Sequence, residues 1–503
     1  MKLNQKKMGA FLSYVSILLL TLITMVYTPI VLKYLGKSEY GVYNLTISIV
    51  SYLSLLSLGF GGSYVKFYYQ FKVRNKFEDI EKLNGLFMLV YMIMGAVSII
   101  VGIILVDNID TLLQGKMSIS EIALSKSLMI ILIINIFLTF PATVFEAYIT
   151  ANEEFIFQKI LMLFRQISSP LLSIPLLIIG YRSLALVIIT TIITFLSLIA
   201  NMVFAVKKLG MKFSFKDPDL RLLKDIAIFS SFLFLNVITD QINWSIDKFV
   251  LGKFVGSVSI TIYSMGAIIN SMYINVSTSV SSVFIPQAND IIQRNSSDSQ
   301  ISDFFIKIGR LQYYILMLIL LGFITFGSYF ISEIWLDATY KSSYYVSIIL
   351  IIPVTIASIQ NIGIEIQKAK NLHKFRSILY FMIAIANLFI SIPLAIKFGP
   401  IGSAIGTGIT LLIGSGLIMN IYYKRVVGLD IRRFWMNILY ISRGIVVPII
   451  ISLIFLITKV SSHFDFLIKV IIFIAIYVIS IYIASMNDFE KLEVNKLLKR
   501  VKG

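Results

Sequence analysis

The chain has 503 residues, 58% of them hydrophobic and 14% charged, with a net charge of +18 and no cysteine. Soluble proteins carry roughly 25% charged residues, and no water-facing surface could be built from so apolar a composition. A soluble enzyme is excluded, and the missing cysteines exclude disulfides, thiolate metal sites and thiol nucleophiles.

In chain order, continuous apolar runs fall at 9–32, 41–66, 84–106, 122–148, 156–179, 183–206, 226–251, 259–285, 308–332, 343–365, 377–396, 401–423, 438–457 and 467–485. Each is close to the ~20 residues a transmembrane helix needs. They lack the ten-residue alternation of a membrane barrel. The first run is too long for a signal-peptide core and reads as a retained span. The expected fold is therefore an all-α integral membrane protein of about 14 transmembrane helices.

An even number of spans puts both termini on one side. Tails and loops on that side hold thirty Lys and Arg, and those on the other side hold eight. The positive-inside rule then makes both termini cytoplasmic, in a multi-pass membrane protein. The charge is thus a topology signal with some attraction to anionic membrane lipids, not a nucleic-acid footprint.

An internal repeat appears at an offset of 218–220. Val31-Leu32-Lys33-Tyr34-Leu35-Gly36 and Tyr43 echo Leu251-Gly252-Lys253-Phe254-Val255-Gly256 and Tyr263. Pro175 and Gly210 echo Pro393 and Gly428, while Gly180, Ala185, Thr191 and Asn201 echo Gly399, Ala404, Thr410 and Asn420. The offset spans six helices, so the two copies run in parallel about an axis along the membrane normal. The expected domains are a six-helix bundle at 1–215, a second at 216–430, and two additional helices with a tail at 431–503.

Ionisable groups deep in a span normally face protein or a water-filled cavity. In the seventh span Asn236, Asp240, Asn243 and Asp247 form one helical stripe, followed by Lys248. Asp240 lies roughly 21 Å past the edge by helical rise, beyond easy snorkelling. Arg165 sits in the fifth span, Lys66 ends the second, and Asn44 shares a polar face there with Ser48 and Ser51. We expect Arg165, Lys66, Lys248, Asn44, Asn236 and Asn243 to contact substrate, and Asp240 and Asp247 to couple an ion. Glu146, like Lys66, lies near a span end where interfacial anchors are common. The two histidines, His373 and His463, fall in loops on opposite sides, and no P-loop occurs. No catalytic residue, metal site or cofactor is expected.

Three segments carry a resemblance. Lys33-Tyr34-Leu35-Gly36-Lys37-Ser38-Glu39-Tyr40-Gly41-Val42-Tyr43 with Leu58-Gly59-Phe60-Gly61 resembles the first hairpin of the polysaccharide biosynthesis flippases. These are the Wzx-type, or polysaccharide transporter, branch of the MATE-like multidrug/oligosaccharidyl-lipid/polysaccharide exporter superfamily. Ile246-Asp247-Lys248-Phe249-Val250-Leu251-Gly252 through Tyr263 is similar to that family's span-7 segment. Gly399-Pro400-Ile401-Gly402-Ser403-Ala404-Ile405-Gly406-Thr407, with Tyr422-Tyr423-Lys424 and Gly428-Leu429, is similar to its span-12 signature. The resemblance implies a flippase that moves undecaprenyl-diphosphate-linked oligosaccharide across the membrane by alternating access, in contact with other polysaccharide-assembly membrane proteins. Related lipid II flippases place arginines in span 1, whereas here no charge lies between Lys7 and Lys33. An exopolysaccharide-type cargo is therefore favoured over the peptidoglycan precursor. A MATE-type drug exporter and a membrane polymerase or acyltransferase are the alternatives.

Overall fold

The computed structural model describes the backbone of residues 2–57, 59–113, 115–216, 220–372, 374–492 and 494–495. Within helices, the side chains of 2–4, 6–7, 10–11, 14, 220, 231–233, 235–237, 239–240 and 242–244 fall outside the description. Among the described residues there is no strand. That follows from the apolar runs, because in hydrocarbon only a helix satisfies its backbone groups within one segment.

The helices are α1 (Lys2–Ser51), α2 (Phe60–Val73), α3 (Phe77–Leu113), α4 (Ile119–Ala151), α5 (Phe155–Ile179), α6 (Arg182–Val203), α7 (Leu220–Phe254), α8 (Ser257–Ser282) and α9 (Ile285–Gln293). They continue as α10 (Asp298–Tyr329), α11 (Ser342–Ile359), α12 (Ile362–Ala369), α13 (Lys374–Leu411), α14 (Met419–Tyr422), α15 (Ile431–Ser442), α16 (Val446–Thr458) and α17 (His463–Ala484). Among the described residues, 11 helical stretches are long and apolar enough to cross a membrane. Two of them, Val15–Val73 and Lys374–Val427, are broken at Gly36 (φ 73°) and Gly399 (φ 61°), so each holds two crossing arms. With α7, 35 residues long, the arrangement is close to the fourteen expected.

At Gly399 the chain reverses. A Cβ on Gly402 would lie 1.9 Å from the Leu394 carbonyl oxygen, so the returning arm fits only without a side chain there.

The repeat is written into the backbone. Left-handed residues pair at the sequence offset: Gly36 with Gly256, Asn75 with Asn295, Glu153 with Asn371, Gly180 with Gly399, and Gly210 with Gly428. Two of these pairs involve no glycine, and in Glu153/Asn371 the residue types differ, so there the match goes beyond a shared residue type. The π-helical turns Phe204–Lys208 and Tyr423–Val427 recur at the same interval.

The helices pack as two units, residues 1–261 with 391–403, and residues 262–390 with 404–503. In the first, α4 packs against α3 and α6, and α1 against α5. Tyr64, Phe87, Tyr91 and Phe140 form a buried aromatic ladder, with Tyr64 edge-on to Phe87 at 5.1 Å. The Tyr64 hydroxyl donates to Asn84, whose amide donates to the Lys212 carbonyl at 2.8 Å. Loops expected on one side meet each other. Gln5 bonds Glu154 and Tyr68 bonds Asn152 at one end. At the other, Arg182 pairs with Glu39 at 2.8 Å, and both Ser38 and Ser257 donate to Glu121 at 2.5 Å.

In the second unit a buried cation fixes the segment after α17. Arg310 is 6% exposed and donates to both Glu490 oxygens, at 2.8 and 2.7 Å. Tyr314 adds a hydroxyl bond to the same carboxylate. Burial alone would raise the Glu490 carboxyl; bonds from Arg310 and the Asn487 amide outweigh it and hold the group below the usual carboxylate range. A depressed folded pKa contributes stability that is present above the unfolded value, near 4.3, and lost as pH falls through the folded one. Hydrogen-exchange protection of residues 487–492, corrected for intrinsic rate, is therefore expected to hold from neutral pH down to about 4 and fall below it. Glu490→Gln should weaken protection throughout and abolish the step.

Candidate functional site

Three polar contacts inside the first unit hold candidate residues or lie on the elements that carry them. The first is at Asp247 near the C-terminal end of α7. Its carboxylate is 1% exposed and accepts a 2.6 Å bond from Ser403, which the reversal at Gly399 carries back to it. Ser391 also bonds the Ser403 carbonyl, at 3.3 Å. A buried carboxylate that accepts from a serine hydroxyl suits a small cation or a proton, since isolated burial of its charge is costly. Lys248 follows it in sequence and is half-buried.

The second place joins α4, α5 and α6. Arg165 pairs with Glu146 at 2.5 Å, and Asn201 donates to the same carboxylate oxygen at 3.1 Å. Gln158 reaches the Glu146 carbonyl and Thr150. Arg165 Nε and Asn201 Oδ1 are buried without a partner among the described residues. Arg165 is thus charge-compensated yet retains an unused donor, a state in which an incoming anion competes with Glu146 for the guanidinium.

The third place lies where α1 meets α7. Gln241 donates to Ser245 at 2.8 Å and to Ser51. Sequence reading missed Gln241 because the carboxylate and asparagine stripe drew attention to another face of the helix.

The remaining candidates are dispersed. The Lys66 ammonium stands 3.7 Å over the Phe229 ring, a cation–π contact between α2 and α7. The Asn44 amide bonds the Tyr40 carbonyl of its own helix at 3.0 Å. Asn236, Asp240 and Asn243 lie outside the described side chains. Among the described residues no group of His, Cys, Asp or Glu could hold a metal ion.

The Arg165–Glu146 contact makes a direct prediction. Both groups are more than a third exposed, so their coupling in a double-mutant cycle should be small, a few tenths to about 1 kcal/mol. Detergent melting of Arg165→Ala, Glu146→Ala and the double variant measures it; strictly additive losses would deny the pair.

The polysaccharide biosynthesis protein family matches residues 7–291. No curated protein matches the chain by sequence. Among solved structures, the lipid II flippase MurJ in an inward closed conformation matches with a TM-score of 0.74 at 17% identity, over 94% of this chain and 97% of that one. An inward-facing multidrug resistance MATE family transporter of the MOP superfamily matches with a TM-score of 0.64 at 13% identity, over 83% and 99%. The Vibrio cholerae MATE transporter VcmN gives 0.57 at 15% identity, over 85% and 98%. These likenesses show the fold, a multi-pass helical membrane architecture. By its family match, the chain belongs to the polysaccharide biosynthesis protein family.

Proposed function

We propose that the protein is a flippase and not an enzyme, and that it moves an undecaprenyl-diphosphate-linked oligosaccharide from the inner to the outer leaflet of a bacterial cytoplasmic membrane. The observation that carries this reading is the family match, with the nearly full-length likeness to a lipid II flippase supporting it. On this reading both termini are cytoplasmic, as the Lys and Arg distribution favours. Arg165, Lys66 and Lys248 pair with the diphosphate, while Asn44, Asn236 and Asn243 bond sugar hydroxyls. Asp247, with Asp240, couples the cycle to a cation gradient.

Two copies of a six-helix repeat, 1–215 and 216–430, would alternate in access. Release to the outside then has to part the contacts of the outer loops, where Glu121 accepts from Ser38 and Ser257, and Thr261 donates to the Lys37 carbonyl at 2.6 Å. The first-copy and second-copy helices approach closely there, since a Cβ on Gly41 would lie 2.0 Å from the Ser257 carbonyl oxygen. A second reading, a cation-coupled drug exporter, draws on the likeness to MATE transporters.

In a deletion strain, surface polymer should be lost and lipid-linked repeat units should accumulate in the inner leaflet. Normal polymer with altered drug resistance would favour the exporter. Asp247→Asn should abolish the dependence of transport on the sodium or proton gradient, and slow transport tenfold or more if coupling resides there. Unchanged ion dependence would remove Asp247 from that role.

A further inference from the structure

A pair of stacked aromatic rings recurs in the two copies of the repeat. Phe157, in the first turn of α5, stacks on Phe204 with centroids 3.8 Å apart and 13° between planes. Phe375, in the first turn of α13, stacks on Tyr422 at 4.2 Å and 11°. Both members are displaced by 218 residues. The same displacement carries Lys207 to Arg425, and both are exposed on the π-helical turn beyond the second ring. Lys208 and Lys424, also exposed, add a second cation in each copy. Among the described residues none of these four cations is in a salt bridge.

In the first copy the stack borders an open groove of about 630 Å³, lined by Phe157, Leu196, Ile199, Val203, Lys207 and Lys208 among others, with no acidic residue. Leu196 and Val203 are 47% and 42% exposed. The Lys208 ammonium lies 4.7 Å from the Phe204 ring, so aromatic floor and cation act on the same space. An apolar trough ending in two uncompensated cations complements one kind of occupant, an amphiphile with acyl chains and an anionic phosphate head.

We propose that each copy of the repeat seats an anionic phospholipid in the leaflet on the side of the chain termini. In the first, the phosphate rests on Lys207 and Lys208; in the second, on Lys424 and Arg425; an acyl chain lies along the aromatic stack in both. Packing of the fold alone requires apolar residues at these places, but it does not require a cation three residues after the ring in both copies. The seats are independent of what the protein transports.

Native mass spectrometry of the detergent-purified full chain tests this, with dioleoylphosphatidylglycerol and dioleoylphosphatidylcholine as probes. Two phosphatidylglycerol molecules should be retained in preference to phosphatidylcholine. A lysine or arginine near a lipid surface contributes roughly a fivefold effect, so Lys207→Ala with Lys208→Ala should weaken one binding step by an order of magnitude or more. Lys424→Ala with Arg425→Ala should weaken the other, and Lys207→Arg with Lys208→Arg should preserve the first. Equal retention of the two lipids, or unchanged binding in both alanine variants, overturns the proposal. Loss of farnesyl diphosphate binding with phosphatidylglycerol unaffected also overturns it, and would assign the cations to a prenyl-diphosphate cargo.

Discussion

Inside a bilayer a backbone amide or carbonyl finds no water, and every other feature of this chain follows from having to bond those groups within itself. Helices are the consequence, and so is the form of their interruptions. The longest helices are not broken by loops but by single left-handed glycines, Gly36 and Gly399, after which helical bonding resumes at once. Where side-chain hydroxyls are buried, many turn back onto carbonyls of their own helix, as Thr46 does to Val42 and Thr410 to Gly406. Other polar groups reach across helices, as Asn135 does to Thr194 and Tyr64 to Asn84, and only a few of these contacts fall at the candidate sites.

The spans and the repeat were legible in the sequence because they depend on local, periodic signals: apolar length and recurring glycines. The left-handed pair Asn75/Asn295 is an identity at the same offset, while Glu153/Asn371 reinforces the repeat at a position where the residue types differ. The hairpin ends were less legible. Residues 33–40 and 397–400 read as loops, yet helix runs through both, because one glycine with positive φ turns the chain while its neighbours stay helical.

The sites were legible only as residue types. Asp247 and Arg165 stand out as charges in apolar runs, but their partners do not. Ser403 lies 156 residues from Asp247, and Glu146 lies 19 from Arg165, a spacing that no single helix brings face to face. Glu146 read as an interfacial anchor, and its pairing with Arg165 had no signal in the sequence. The Arg310–Glu490 clamp had no sequence signal, since the carboxylate sits in a charged tail where solvated groups are the rule.

Transport of a lipid-linked sugar across the membrane is open to direct measurement. Purified protein in sealed vesicles, loaded with a short prenyl-diphosphate oligosaccharide in one leaflet, measures it by the rate at which the sugar becomes accessible to an enclosed glycosidase. A flippase gives protein-dependent transfer, and Arg165→Ala should slow it. Transfer no faster than in protein-free vesicles, under an imposed sodium or proton gradient of either direction, would contradict the flippase reading.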